Sequence, residues 1–413
     1  MCGISAIINC RSSDIEARKK IFNLLRSVQH RGQDSYGYSD GNDVEKYMGM
    51  VEKIPQKINS NIIIGHTRYR TSGAVDIDVC QPIKIHDITI VHNGNINSLK
   101  FDKRETDTFA LTNYIHHCVG IKENIIDTIK DVINNIEGSF FVIMIYKDAL
   151  YCFKDKYGIR PGMYGFDGNS DILICSENQK FPQINIDIEP GQIVEFKNNK
   201  ITKFDTNSGY LKPCIFEYIY LAHPQSTIYG LKVSDFRLKI AASAAKIISN
   251  VGSIDAVCGV PNSSRVYGLE IARILKKDYI EPSVKKKRSF ILPTQEEREK
   301  YVREKFSFPK FAFNYDHILI VDDSIVRGTT SRELIKRFKE KRCTVSFLSC
   351  SPLIVNVNKF GINITSKKEL ISYNRNLDQI CDELGCDNLY YQTIDNLYKC
   401  SGFENLELSI FEA

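Results

Sequence analysis

At 413 residues, with 43% apolar and 25% charged side chains, the chain has room for two globular domains, each with its own core. A net charge of +5 against 55 basic and 50 acidic residues gives no ground for wholesale nucleic-acid binding and leaves only a local basic patch open. No apolar run approaches the roughly 20 residues that span a bilayer. Asn9, Arg11 and Asp14 break the N-terminal apolar stretch too early for a signal peptide. Thirteen cysteines, odd in number and without a C-x-x-C pair, read as reduced thiols of a cytoplasmic protein rather than as a disulfide framework or a zinc ribbon.

From residue 1 to about 212 the pattern is one of short strands, SAII, NIIIGH, ITIVHN, FFVIMIY, ALYCF, ILICSE and QIVEF, separated by turns rich in Gly, Asn and Asp. Helices are predicted at about 14–30, 106–119 and 122–136, the second capped by Thr106 with Asp107 in its first turn. This predicts sheets with helices packed on them, an α+β domain over 1–212. After Pro213 the rhythm changes. Helical stretches at about 234–250, 264–276 and 331–341 alternate with the buried strands DAVCGV, HILIV and TVSFLSC, the pattern of a parallel α/β sheet over 213–413. Ser331 is expected to cap the 331–341 helix, with Leu334, Ile335 and Phe338 as its apolar stripe. The charged segment 281–311, with KKKR at 285–288, reads as a mobile excursion, and 375–413 as helical and then irregular.

Cys2 directly follows a Met, and removal of that Met alone is expected to expose it. Once Met is removed, its α-amine, with an ordinary pKa of about 8, can serve as the base for its own thiol. Such a nucleophile needs an anion holder and a grip on its substrate. HNGN at 92–95 follows the strand ITIV and offers the Asn93 amide and the Gly94 backbone N–H to an oxyanion. GHTRYRT at 65–71 offers Arg68, whose fork suits an α-carboxylate, and TDT at 106–108 offers Asp107 for an α-ammonium. Together these suit hydrolysis of an amino-acid amide.

MCGI, HRGQDSYG (30–37), GHTRYRT, HNGNI and GIRP (158–161), in this order, resemble the class II glutamine amidotransferase domain, an N-terminal-nucleophile αββα sandwich, over nearly all of 1–212. The resemblance implies Cys2 as nucleophile, Asn93 and Gly94 as oxyanion hole, Arg68 and Asp107 as glutamine grips, and Arg31 as a supporting member of the glutamine-binding set.

In the second half, ILIV reads as a buried strand that ends in Asp322 and Asp323, after which Ser324 to Thr330 turn into a helix. Backbone N–H groups and hydroxyls at a helix start favour phosphate. Neighbouring carboxylates suit ribose hydroxyls and hydrated Mg²⁺. A Walker loop is excluded because Gly-Lys-Ser/Thr is missing. VDDSIVRGTTS resembles the type I phosphoribosyltransferase signature. With CIFEYIY (214–220), Pro224, Ser226 and GVPNSS (259–264), almost the full chain resembles the amidophosphoribosyltransferase family.

That resemblance implies that Ser324, Ile325, Val326, Arg327, Gly328, Thr329 and Thr330 cradle the 5′-phosphate of phosphoribosyl pyrophosphate. Pro261, Asn262, Ser263 and Ser264 would face its pyrophosphate, and Asp322, Asp323 and Ser263 would hold ribose and Mg²⁺. A flexible loop at about 281–305, carrying Arg288, would close over it. The implied reaction hydrolyses glutamine at Cys2 and channels ammonia to the ribose site, giving 5-phosphoribosylamine, the first committed product of purine synthesis. Purine nucleotides are implied as inhibitors and a homo-oligomer as the assembly, with neither nucleic acid nor membrane as partner.

The pattern departs in places. GVPDSG reads GVPNSS, ARPDS reads AHPQS at 222–226, and of KNRYVGRTFI only KRSFI at 287–291 remains. Arg265 adds a cation for the pyrophosphate. These changes motivate an alternative, a glutaminase whose ribosyl half acts on another acceptor or as a regulator. Some family members carry a 4Fe–4S cluster. Here Cys214 matches one ligand, Asn358 stands near the second, and the final C-x-x-C has become Cys400-Ser-Gly-Phe403, so no iron–sulfur cluster is expected.

Overall fold

The computed structural model describes residues 1–8, 14–58, 60–69, 76–99, 106–168, 171–249, 253–284, 306–362, 364 and 366–412. Residues 3–205 build two antiparallel sheets. The first has seven strands, in the order Ile184–Asp187, Met163–Phe166, Ile172–Cys175, Gly3–Ile8, Ile62–Arg68, Ser35–Ser39 and Val44–Met48. The second has six, in the order Lys200–Asp205, Gln192–Lys197, Ala149–Lys154, Gly138–Tyr146, Ile88–Ile96 and Ile83–Ile85. Alternate residues of the first sheet (Ile4, Ala6, Ile64) meet Val91, Phe141, Ile143 and Leu150 of the second in a dry interior.

Helix Asp14–Ser27 covers the outer face of the first sheet through Ala17, Ile21, Leu24 and Leu25. The last two are 0% exposed, each burial worth about 1.5–3 kcal/mol. Helices Asp107–Lys122 and Ile125–Asn135 cover the second sheet. The layers are therefore αββα, as the resemblance implies. Thr106 caps its helix as expected, its Oγ1 accepting from Phe109 N at 3.2 Å.

The second half holds a five-stranded parallel sheet, in the order Asp278–Ile280, Ala256–Gly259, His317–Asp322, Thr344–Ser349 and Asn388–Tyr391. Helices Val233–Ile248, Arg265–Leu275 and Ile394–Ser401 pack on one face with Val257, Leu319 and Leu348. Helices Thr329–Lys339 and Leu377–Leu384 pack on the other with Cys258, Ile320 and Phe347. The central strand His317–Asp322 thus delivers its carboxylates to the C-terminal edge of the sheet, where ligands of open α/β sheets bind. One apolar cluster runs through both halves: Ile7, Leu25 and Tyr36 share it with Phe216, Ile240 and Leu408.

Two expectations are corrected, and a third falls largely outside the described residues. The helix expected to start at Ser331 starts at Thr329, because Gly328 turns the chain at φ 73° immediately before that residue. The left-handed φ favours glycine, and a Cβ there would lie 2.5 Å from Ile371 Cδ1 and 3.0 Å from Leu384 Cδ2, so those side-chain ends would have to shift. The 375–413 stretch contains a strand, Asn388–Tyr391, between two short helices. Of 281–311, Ser283–Val284 and Phe306–Ser307 pair as an antiparallel ribbon, while 285–305, with Arg288, lie outside the described residues. Among the described residues no helix is long and apolar enough to cross a membrane.

Candidate active site

The glutamine end forms where the two sheets of the first half meet. Gly3 pairs with Thr67, so the register brings Arg68 alongside Cys2. Asn93 and Gly94 arrive on Ile88–Ile96 of the other sheet. The Cys2 backbone nitrogen, an amide while Met1 is attached, donates to Asn93 Oδ1 at 3.2 Å. Among the described residues Asn93 Nδ2 is buried without a partner. An orphaned buried donor costs stability unless something accepts from it, which fits a donor reserved for an oxyanion. Gly94 has φ 155°, and a Cβ there would lie 1.9 Å from Ser139 O, so only glycine fits.

Asp107 is fixed by two backbone donors: Ile96 N reaches its Oδ2 at 3.2 Å and Thr108 N its Oδ1 at 2.8 Å. Arg68 donates from Nη1 toward Cys80 Sγ at 3.9 Å. Cys2, Asn93, Gly94, Arg68 and Asp107 therefore occupy one neighbourhood.

Arg31 does something the sequence did not disclose. Its Nε donates to Cys2 O at 3.0 Å, its Nη1 to Glu177 Oε1 at 2.5 Å, and its Nη2 to Glu217 Oε1 at 2.8 Å. The guanidinium is committed to the backbone of Cys2 and to carboxylates, a clamp rather than a grip on substrate. Arg160 completes the group from GIRP, its Nη1 donating to Glu217 Oε1 at 3.0 Å and its Nη2 to Phe360 O.

Glu177 in turn accepts from His223 N at 2.8 Å and Ser226 Oγ at 2.7 Å. All four charged side chains are at most 3% exposed. Burial alone would raise both carboxyls, but His30 and Arg31 beside Glu177, and Arg31 and Arg160 beside Glu217, outweigh it and hold them below the usual range. The network ties Cys2 to the second half. Its signal in the sequence was a charged residue inside an apolar run, as Glu217 is in CIFEYIY.

At the ribose end, Asp322 and Asp323 lie side by side, 8% and 4% exposed. Burial pushes both carboxyls up, and at Asp322 the neighbouring Asp323 charge adds to it. Ser264 is fully buried and donates to Asp322 Oδ1 at 2.6 Å while accepting from Asp323 N at 2.9 Å. It stands behind the carboxylates instead of facing the cleft with Pro261, Asn262 and Ser263. Arg265, expected near the pyrophosphate, instead pairs through Nε with Glu281 Oε1 at 2.7 Å. Arg327 Nε bonds Glu369 Oε2 at 3.0 Å. Among the described residues no group of three His, Cys, Asp or Glu side chains could hold a metal ion unaided.

One cleft of about 930 Å³ runs from the N-terminal residue to the Asp322–Ser331 turn, and Cys2, Arg68, Asn93, Gly94 and Asp107 are not among its lining residues. Met1, His30, Arg31 and Tyr69 line it on one side, and Pro261 to Ser263 with Asp322 to Ser331 on the other.

Comparison with known proteins matches this whole arrangement rather than one half. An amidophosphoribosyltransferase of Haemophilus influenzae is 30% identical over 463 residues, covering 100% of this chain and 91% of its own. The chain belongs to the amidophosphoribosyltransferase family. Relatives of the same name from Methanocaldococcus jannaschii (31% identical, covering 99% and 96%) and Escherichia coli (31%, covering 100% and 91%) agree. A solved glutamine phosphoribosylpyrophosphate amidotransferase from B. subtilis, complexed with ADP and GMP, superposes with a TM-score of 0.84 at 26% identity, covering 100% of this chain and 95% of that one. A structure described as the allosteric regulatory enzyme of purine biosynthesis does so at 0.86, also at 26% identity, covering 100% and 94%. No family model matches the chain. The chain is thus an enzyme of the glutamine amidotransferase and glycosyltransferase type, and the drifted-acceptor alternative is not favoured.

Proposed function

We propose that the chain makes 5-phosphoribosylamine from phosphoribosyl pyrophosphate and glutamine-derived ammonia, with 1–212 as the glutaminase domain and 213–413 as the phosphoribosyltransferase domain. The observation that carries this reading is the single cleft with the N-terminus at one end and the Asp322–Thr330 turn at the other.

With Met1 removed, the Cys2 amine takes the thiol proton and the thiolate attacks the glutamine side-chain carbonyl. Asn93 Nδ2 and Gly94 N–H receive the oxyanion, and Arg68 and Asp107 hold the α-carboxylate and α-ammonium. The C–N bond breaks as the Cys2 ammonium gives its proton to the amide nitrogen, which leaves as neutral ammonia, and water then hydrolyses the thioester. Desolvation pulls the buried Met1 amine down to about 6.

At the other end, Ser324 to Thr330 hold the 5′-phosphate, Pro261 to Ser263 the pyrophosphate, and Asp322 and Asp323 the ribose hydroxyls. Two carboxylates completed by phosphate oxygens and waters form a donor set that suits hydrated Mg²⁺, and a raised carboxyl pair is one that a cation relieves. When bound there, Mg²⁺ would neutralise the departing pyrophosphate. Ammonia in bulk water is mostly protonated near neutrality, so passage through the cleft preserves the nucleophile. The ADP and GMP bound by the B. subtilis neighbour support purine nucleotides as ligands of this chain also. A homo-oligomeric, cytoplasmic enzyme completes the reading.

The test is phosphoribosyl-pyrophosphate-dependent glutamate release with the amine trapped enzymatically, for wild type and Asp322→Asn/Asp323→Asn. Both products should appear together in wild type and phosphoribosylamine should vanish in the double variant. Glutamate released without the ribose substrate, and no amine trapped, would overturn the reading.

A further inference from the structure

Helix Leu377–Leu384 ends in a left-handed glycine, Gly385, and this turn folds Cys386 back over Cys381. Gly385 N and Cys386 N both donate to Cys381 O, at 2.9 and 3.3 Å. The two sulfurs are left 3.4 Å apart. Each thiol also points at the other residue's carbonyl: Cys381 Sγ lies 3.2 Å from Cys386 O, and Cys386 Sγ 3.7 Å from Cys381 O. Cys381 is half-buried and Cys386 is 8% exposed. Neither takes part in the chemistry proposed above.

Their helix nevertheless touches the phosphate turn. Leu384 Cδ2 lies 3.0 Å from where a Cβ of Gly328 would stand, and Arg332 Nη1 donates to Glu383 Oε1 at 2.8 Å. The same turn is braced by Ile371 N, which donates to Val326 O at 2.9 Å.

We propose that Cys381 and Cys386 form a redox dithiol, oxidised to a disulfide by small-molecule disulfides, and that closing this bond weakens binding of the substrate phosphate at Ser324–Thr330. The second clause rests on the function proposed above; the first does not. Cys381, the more accessible thiol, loses its proton and attacks one sulfur of R–S–S–R, breaking that bond and releasing R–S⁻, which takes up a proton. Cys386 then loses its proton and attacks the Cys381 sulfur of the mixed disulfide, releasing the second R–SH. The protein gives up two electrons and two protons, and the reagent gains both.

A disulfide is about 2.05 Å long, so the sulfurs must approach by roughly 1.4 Å. That movement falls on the residues flanking Gly385, of which Leu384 is one. Burial holds both thiols above their ordinary range, so closure is slow near neutrality and quickens in mild alkali.

The test treats the whole protein with oxidised glutathione at about pH 8.5, where an ordinary thiol is half ionised, and digests it with trypsin. The 376–399 peptide, bounded by Arg375 and Lys399, carries only these two cysteines. It should become lighter by two hydrogen atoms and resist alkylation until dithiothreitol is added. In the ammonia-dependent assay, the KM for phosphoribosyl pyrophosphate should rise at least threefold on oxidation and return on reduction, with no change in Cys381→Ser/Cys386→Ser. A peptide that stays fully alkylatable overturns the dithiol. A bond that forms without moving KM overturns its hold on the phosphate turn. A reduced enzyme with no turnover sinks the proposed function, while the peptide mass still decides the dithiol.

Discussion

Glu217→Gln tests the link between the two halves of the molecule. In the native cluster two guanidinium groups, Arg31 and Arg160, face two carboxylates, Glu177 and Glu217. The substitution keeps the shape and removes one negative charge, leaving a net positive charge among side chains at most 3% exposed. Breaking a buried pair on one side costs about 3–5 kcal/mol. For a cooperative unit of about 200 residues this lowers the melting midpoint by about 10 °C.

The functional effect should be selective, because Arg31 Nε holds Cys2 O at 3.0 Å and nothing at the ribose end depends on that bond. Assayed well below the midpoint, glutamine-dependent kcat/KM should fall about tenfold, equivalent to ~1.4 kcal/mol of lost positioning, with ammonia-dependent turnover nearly unchanged. The pH dependence has a definite sign. The Glu217 carboxyl is depressed in the fold, so its contribution is present above the unfolded carboxyl range and is lost as pH falls through the folded value. The stability gap between wild type and variant should therefore close in acid below about pH 4. Equal melting midpoints at pH 7, or parallel loss of both activities, would refute the reasoning.

Other outcomes follow from the same contacts. Gly94→Ala should abolish glutamine hydrolysis and spare ammonia-dependent synthesis, since the new Cβ would meet Ser139 O at 1.9 Å; steady-state assays with each nitrogen donor decide this. Ser264→Ala removes a charge-assisted hydrogen bond to Asp322, worth about 1.5–3 kcal/mol, and should raise the KM for phosphoribosyl pyrophosphate, with Thr restoring it in part. Lys154 is fully buried, 2.9 Å from Tyr229 OH, and desolvation pulls its pKa down to about 8. The unfolded chain then binds the extra proton between about pH 8 and pH 10, so wild type should gain about 2 kcal/mol on Lys154→Met across that window, read from urea unfolding. Iron and acid-labile sulfide assays should find neither at stoichiometric level; finding both would overturn the expectation of a cluster-free chain.

What the sequence discloses and what it hides divide along range. HILIV and FFVIMIY announce buried strands because their apolar runs are continuous, and Thr106 announces a helix start because capping is local. Lys200–Asp205 went unread because an exposed edge strand of Lys, Thr and Asp lacks the apolar signal. The proximity of Cys2, Asn93 and Asp107 was inferred from motif order, yet it is built by pairing strands from two different sheets. The Arg31 clamp lay beyond reach, since Glu177, Glu217 and Arg160 come from three distant elements. The resemblance of GVPNSS places Ser264 at the pyrophosphate, with Arg265 as an added cation nearby, but a hydroxyl beside two buried carboxylates and an Arg beside Glu281 find nearer partners.

The apolar cluster common to both halves limits how this molecule can move. Swinging one half away from the other would divide this cluster and uncover part of its apolar surface, at about 1.5–3 kcal/mol for each side chain uncovered. That soon exceeds the few kcal/mol by which a substrate can favour one conformation over another. The shared core therefore opposes hinge motion of one half against the other and holds the walls of the cleft in place.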